Sequence, residues 1–139
     1  MECVLDCSLA LAWALPDETS DRAERLLAQL SPESTLWVPA LWWYELANAL
    51  LTAQRRKRLA EADRLRAMQL YGALPIQTDT LLNPHTVGRL HALGKEYGLS
   101  AYDASYLDVA QRRDLELATL DHPLMTAARR AGIRLVRLH

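Results

Sequence analysis

The chain has 139 residues, half of them hydrophobic, a size that suits one domain with a substantial core. Lys and Arg total 16 against 17 Asp and Glu, a formal charge of -1, which excludes a surface coated in positive charge but leaves a local basic patch open. No apolar run is long enough to span a bilayer, and no basic segment leads into an apolar stretch with a cleavage site, so neither a membrane span nor a secretory signal is expected.

Along the chain, short apolar strands alternate with helices. Residues 2–7 read as a buried first strand. On such a strand Cys3 and Cys7 would stand roughly 13 Å apart, beyond the about 4.4–6.8 Å a disulfide needs. Free thiols fit a reducing cytoplasm. Ser8 is placed to cap a short helix over 8–15, which Pro16 ends. Residues 18–30 form an amphipathic pattern with Ala23, Leu26, Leu27 and Leu30 on one side. A second strand is expected over 35–38, followed by a long helix with Pro39 in its first turn, reaching Lys57. Another helix covers 61–71, with Gly72 near its end, and 75–78 is a weaker strand. Residues 80–97 are mostly helical, with a break at Asn83-Pro84. Then come a helix over 100–113, a strand over 115–119, a helix over 122–131 stopped by Gly132, and a last strand over 133–136. There is no internal repeat, low-complexity segment or linker. This alternation predicts a mostly parallel sheet covered on both faces, with sites just beyond the carboxyl ends of its strands.

Four acids stand apart. Asp6 ends the run Cys3-Val4-Leu5, Glu45 lies in Leu41-Trp42-Trp43-Tyr44-Glu45-Leu46-Ala47, Asp103 in Leu99-Ser100-Ala101-Tyr102-Asp103-Ala104, and Asp121 closes Leu117-Ala118-Thr119-Leu120. Acids in apolar surroundings are costly unless paired or bound to metal, and Asp6, Glu45 and Asp103 have no Lys or Arg three or four residues away. Apart from Glu45, residues 36–54 carry no charge, so their helix is expected to be largely buried. Asp6 and Asp121 follow predicted strands, while Glu45 and Asp103 begin helices that could border the same crevice. A divalent-metal site is the functional reading. Each acid also has an ordinary structural role open to it. Asp6 can accept backbone bonds in a turn. Asp103 can complete a capping box with Ser100, and Asp121 can be an N-cap. Glu45 has the weakest such account, with Asn48 its one polar neighbour at helical spacing. Asp21 with Arg25, and Asp108 with Arg112, have instead the spacing of solvated helix pairs.

Other chemistry is thin. The histidines at 85, 91, 122 and 139 lack the paired spacing of zinc sites. The five glycines are scattered, so no phosphate-cradling loop is present. Arg55-Arg56-Lys57-Arg58, with Arg64 and Arg66, is the densest basic patch, either a solvated helix end or a phosphate contact. Trp13, Trp37, Trp42 and Trp43 are read as core or partner-facing anchors, with base stacking as the alternative.

Taken in order, Val4-Leu5-Asp6-Cys7-Ser8, Pro39-Ala40-Leu41-Trp42-Trp43-Tyr44-Glu45-Leu46-Ala47-Asn48, Leu99-Ser100-Ala101-Tyr102-Asp103-Ala104 and Ala118-Thr119-Leu120-Asp121 resemble the PIN-domain family, and within it the small VapC-type ribonuclease toxins of toxin–antitoxin pairs. The likeness runs from Cys3 to Val136, and 102–107 is its most recognisable piece. It implies an α/β three-layer sandwich with a five-stranded, mostly parallel sheet flanked by helices, as a single domain over 1–139. It also implies that Asp6, Glu45, Asp103 and Asp121 hold Mg2+ or Mn2+, with Ser8, Asn48 and Thr119 in support. The implied activity is RNA hydrolysis by one or two hard cations. The implied partners are RNA, a cognate antitoxin and a second copy in a homodimer, with no membrane. A non-catalytic binding module stays open beside it, as does a metal-dependent phosphatase or phospho-receiver centred on Asp6. Ser8, standing where a phosphatase has a second acid, weighs against the phosphatase.

Overall fold

The computed structural model describes residues 1–138. Four strands, β1 (Glu2–Leu5), β2 (Thr35–Pro39), β3 (Ile76–Asp79) and β4 (Glu116–Ala118), form one sheet in the order β3-β2-β1-β4. All three pairings are parallel. On β1, Cys3, Val4 and Leu5 are consecutive and all buried, so both faces of the sheet are covered, as its uninterrupted apolar run requires.

The helices are α1 (Cys7–Ala14), α2 (Asp21–Gln29), α3 (Leu41–Arg55), α4 (Glu61–Ala73), α5 (Pro84–Tyr97), α6 (Ala101–Arg113) and α7 (His122–Arg130). Helix α6 is buried along Ala104–Ala110 and packs on β1, β2 and β4, with α5 behind it. Helix α1 gathers α2, α3 and α4. Local chemistry marks the boundaries. Ser20 caps α2 by accepting from the Ala23 N–H, and Asn83 with Thr86 forms a reciprocal capping box ahead of Pro84 on α5. Gly98 ends α5 at φ 68°, where an L side chain would be strained. Among the described residues no helix is long and apolar enough to cross a membrane.

Several expectations need correction. The fifth strand is not formed. Residues 133–136 contribute a single bridge, Leu117 to Leu135, held by Leu117 N–H to the Arg134 carbonyl and Val136 N–H to the Leu117 carbonyl, both 2.9 Å. Strand β4 is only three residues long, so it offers a fifth strand one full position. Strand β1 ends at Leu5, and Cys7 already belongs to α1, so Asp6, not Ser8, holds the N-cap position. The two cysteines therefore do not share a strand, although both are free and buried. Pro16–Glu18 is a 3-10 turn, and α2 begins only at Asp21. Pro39 is the last residue of β2, paired with Asp79, and α3 starts at Leu41. Helix α3 is not largely buried. Trp42, Leu46, Leu50 and Ala53 face the core, but Tyr44 is 78% exposed and Leu51 46%.

Burial pushes the Cys3 thiol up to about 12 and raises Cys7 further. Neither sulfur is then ionised at pH 8, and the thiolate is the reactive form. A thiol-disulfide reagent at pH 8 is expected to leave both cysteines untouched in native protein and to titrate two thiols in guanidinium. Rapid native labelling would contradict this burial.

Candidate active site

Parallel strands end where their chains turn into helices, and β1 and β4 do so side by side. The Asp6 N–H extends their ladder by donating to the Ala118 carbonyl at 2.9 Å. This sets Asp6 beside Thr119 across 113 residues of sequence. The Ser8 and Thr119 hydroxyls each donate to Asp6 Oδ2 at 2.7 Å. Both hydroxyls are themselves pinned. Ser8 Oγ accepts from the Leu120 N–H, and Thr119 Oγ1 accepts from the Asp121 N–H, each at 3.0 Å. Asp6 is 7% exposed, and among the described residues no Lys, Arg or His bonds to it.

The other three acids arrive on helices. Glu45 projects from α3, and its Oε1 accepts a 2.6 Å bond from the Tyr106 hydroxyl of α6. Asp103 stands in the first turn of α6, where Ser100 caps the helix by accepting from the Asp103 N–H. Asp121 is the N-cap of α7 and accepts from the Leu124 N–H at 3.1 Å. Ser100 and Asp121 thus act as N-caps, but among the described residues the Asp103 carboxylate does not bond back to the Ser100 N–H, so the foreseen capping box is not completed; Asp121 also faces the pocket with its neighbours.

Asp6, Glu45, Asp103 and Asp121 line one open pocket of about 420 Å³, with Ser8 and Asn48, and with Cys7, Leu11 and Ala49 as its apolar floor. Among the described residues no Lys, Arg or His lines it. Thr119 lies beneath, holding Asp6. His122 is exposed and is not part of the lining. The electrostatics follow from this composition. Burial raises the Asp6 carboxyl above the ordinary range, the Ser8 and Thr119 bonds work against that, and the Asp121 charge adds to it. Burial raises Glu45, opposed by the Tyr106 bond and reinforced by Asp6 and Asp103. Burial also raises Asp103, with Asp121 adding to it. The carboxylates thus repel one another with no counter-charge at hand.

Such a set of hard oxygen donors suits magnesium or manganese rather than zinc. Among the described residues no three His, Cys, Asp or Glu side chains stand ready as a cage. Like charges in one pocket stand apart, so it is the donor chemistry that fits a cation here, not a preformed coordination shell.

Tyr106 was not singled out in the sequence, although it lies three residues after Asp103 on the same helix face. The basic run divides. Arg58 bonds Asp17 and Glu18, Arg64 bonds Glu61, and Arg66 bonds Asp63, while Arg55, Arg56 and Lys57 are exposed. Three of the four tryptophan ring nitrogens are bonded, while that of Trp42 is buried without a partner among the described residues. Trp42 is fully buried, Trp13 bonds the Ala23 carbonyl, Trp37 bonds Glu2 beneath the Arg113 guanidinium, and Trp43 bonds Thr78.

A parallel sheet with four carboxylates gathered beyond its strand ends defines an α/β protein with an acidic site, and the chain belongs to the PIN domain family, whose model matches residues 3–129. Among its relatives, ribonuclease VapC3 of Pyrobaculum aerophilum is 30% identical over 128 residues, covering 89% of this chain and 92% of the relative. Ribonuclease VapC9 of Mycobacterium tuberculosis is 34% identical over 119 residues, covering 85% and 84%. The solved structure of VapBC2 from Rickettsia felis, bound to a DNA fragment from its promoter, is similar in fold, with a TM-score of 0.67 and 14% identity over 98% of both chains.

Proposed function

We propose that this chain is a divalent-metal-dependent endoribonuclease, the toxin of a toxin–antitoxin pair, working in the cytoplasm as one PIN domain over its whole length. The observation that carries the reading is the pocket that gathers Asp6, Glu45, Asp103 and Asp121 with no cationic side chain of the described residues in its lining. The names of its relatives, ribonucleases over nearly all of their length, point the same way.

Asp6, Glu45, Asp103 and Asp121 would hold Mg2+ or Mn2+. A bound cation would lower the pKa of a water so that hydroxide is available as the nucleophile near neutral pH, and would offset the charge that develops on the phosphate. The chain's own groups set the stage. Ser8 and Thr119 both engage Oδ2 of Asp6, leaving Oδ1 free of hydroxyl donors. Asn48 lines the pocket one helical step from Glu45 and offers an amide to a phosphate or a ligand water. The Ser8 hydroxyl is tied between Asp6 and the Leu120 N–H, so it positions a carboxylate and does not serve as a nucleophile.

An antitoxin and a second copy of the chain are the proposed protein partners. The apolar side chains left outside on α3 and α4, Tyr44, Leu51, Leu65 and Met68, are the kind of surface such contacts use.

The test is purified protein, freed of any bound inhibitor, incubated with cellular RNA and Mg2+ or Mn2+ beside an EDTA control. Discrete, metal-dependent fragments are expected, together with a higher melting temperature in the presence of the metal, because a cation relieves the carboxylate repulsion. Folded, inhibitor-free protein that cuts nothing with either metal, and whose melting temperature neither metal moves, overturns the assignment.

A further inference from the structure

We infer that Tyr106 is a positioning residue for the acidic site: its hydroxyl fixes the carboxylate of Glu45 and decides which of the two oxygens is left to a cation. The inference rests on the nuclease reading above and names a residue that reading does not need.

Glu45 has the longest side chain of the four acids, and Asp6 and Asp103 both repel it. Asp6 is gripped by two hydroxyls, and Asp121 is tied to the Leu124 N–H. Among the described residues, the Tyr106 hydroxyl is the one side-chain donor to Glu45. That donor is well anchored. Tyr106 is fully buried in the stretch of α6 that packs on the sheet, so the phenol cannot follow the carboxylate if it swings away. A phenol has one proton to give, and it goes to Oε1 at 2.6 Å, a charge-assisted bond. Oε2 is thereby left for a metal. Helices α3 and α6 meet in this bond across 61 residues of sequence, so it also sets the spacing between Glu45 and Asp103, which begins the same helix as Tyr106.

Magnesium and manganese need ligand oxygens held in near-octahedral positions, and losing a partner that orients a ligand typically weakens metal binding or activity by about 10–100-fold. Tyr106→Phe removes the hydroxyl and keeps the ring. Calorimetric titration with Mn2+ alone is expected to show affinity weakened roughly tenfold. RNA cleavage should lose kcat while KM for RNA stays within about twofold, since the phenol touches no RNA. The decisive comparison is a double-mutant cycle. In a Glu45→Ala background, which leaves the phenol no carboxylate or amide to hold, Tyr106→Phe should change Mn2+ affinity no further, because Tyr106 acts only through that side chain. A crystal structure of Tyr106→Phe should show the Glu45 carboxylate moved from its wild-type position. Mn2+ affinity and kcat both within twofold of wild type, in a variant with an unchanged melting temperature, overturn the inference and leave the nuclease reading standing. So does an equal loss in the Glu45→Ala background, which marks a general packing effect. Wild-type protein that neither binds Mn2+ nor cuts RNA overturns the nuclease reading itself, and the inference falls with it.

Discussion

Asp6→Asn is expected to reduce RNA cleavage by more than the roughly 100-fold that loss of an outer partner of a metal ligand can cost, while making the metal-free protein more stable. The asparagine carbonyl can still accept from Ser8 and Thr119, so the local bonds survive; what disappears is a charge. Burial, aided by Asp121, raises the Asp6 carboxyl in the folded state above the ~3.9 of a free side chain. A group shifted in that direction gives its full contribution to stability below pH ~4 and loses it as the pH climbs through the folded-state value. At neutral pH the wild-type protein therefore folds against an ionised, buried and crowded carboxylate, and the variant does not. Melting temperatures in EDTA should be higher for the variant at pH 7.5, and the gap should close toward pH 4. Added Mg2+ or Mn2+ should lift the wild type more than the variant. Undiminished cleavage by the variant, with contaminating nuclease excluded, would remove Asp6 from the site. A melting temperature equal to wild type at pH 7.5 would remove the electrostatic account.

The largest loss of stability is expected at Asp79. Its side chain is 3% exposed and takes both terminal nitrogens of Arg112 at 2.8 and 3.2 Å, Nε of Arg113 at 2.8 Å and the Leu81 N–H. Arg112 continues to Asp108, equally buried, which Arg89 of α5 also reaches at 2.7 Å. The end of β3, α5 and α6 are thus tied by one network. Removing one partner of a buried ion pair costs about 3–5 kcal/mol because the other charge is left uncompensated. Arg112 and Arg113 keep 20% and 34% exposure, so Asp79→Ala should cost about 3 kcal/mol, the low end of that range. Burial raises the Asp79 carboxyl, but the Arg112 and Arg113 bonds more than offset it, and the net shift is downward. Its stabilisation is accordingly present above pH ~4 and fades as the pH falls through the still lower folded-state value. Denaturant unfolding from pH 7 to pH 3 should show the variant losing less on the acid side. A cost under about 1 kcal/mol at pH 7 would mean that the arginines find water as good a partner.

These two residues mark what could and could not be read in advance. Asp6 is visible because it closes the apolar run of β1, where a charge is anomalous. The same logic drew attention to Glu45, Asp103 and Asp121, and the structure brings all four to one pocket. Asp79 lies in Gln77-Thr78-Asp79-Thr80, a polar stretch where an acid is unremarkable, and its partners are 33 and 34 residues away. Asp108 and Arg112 have the i,i+4 spacing of a solvated pair, yet they are buried. Spacing identifies partners on a helix but not the side of the helix they share. Helix α3 shows the converse. A span without charge except for Glu45 suggested burial, but Tyr44 and Leu51 face outward, because absence of charge does not distinguish core from a surface that meets another protein. The strand over 133–136 had the right composition, but its neighbour β4 is only three residues long and gives it a single bridge.

The scatter of the four acids along the chain has a bearing on how the protein is made. Positions 6, 45, 103 and 121 meet only after β4 has inserted beside β1, and β4 is the last strand to be synthesised. A ribosome-bound fragment lacking it has neither Thr119 to grip Asp6 nor Asp121 to complete the pocket. Chains abandoned before that point lack two of the residues that the proposed site uses. On the proposed reading, cleavage can begin only once β4 and Asp121 have emerged, so an inhibitor translated alongside the protein need only be ready by then.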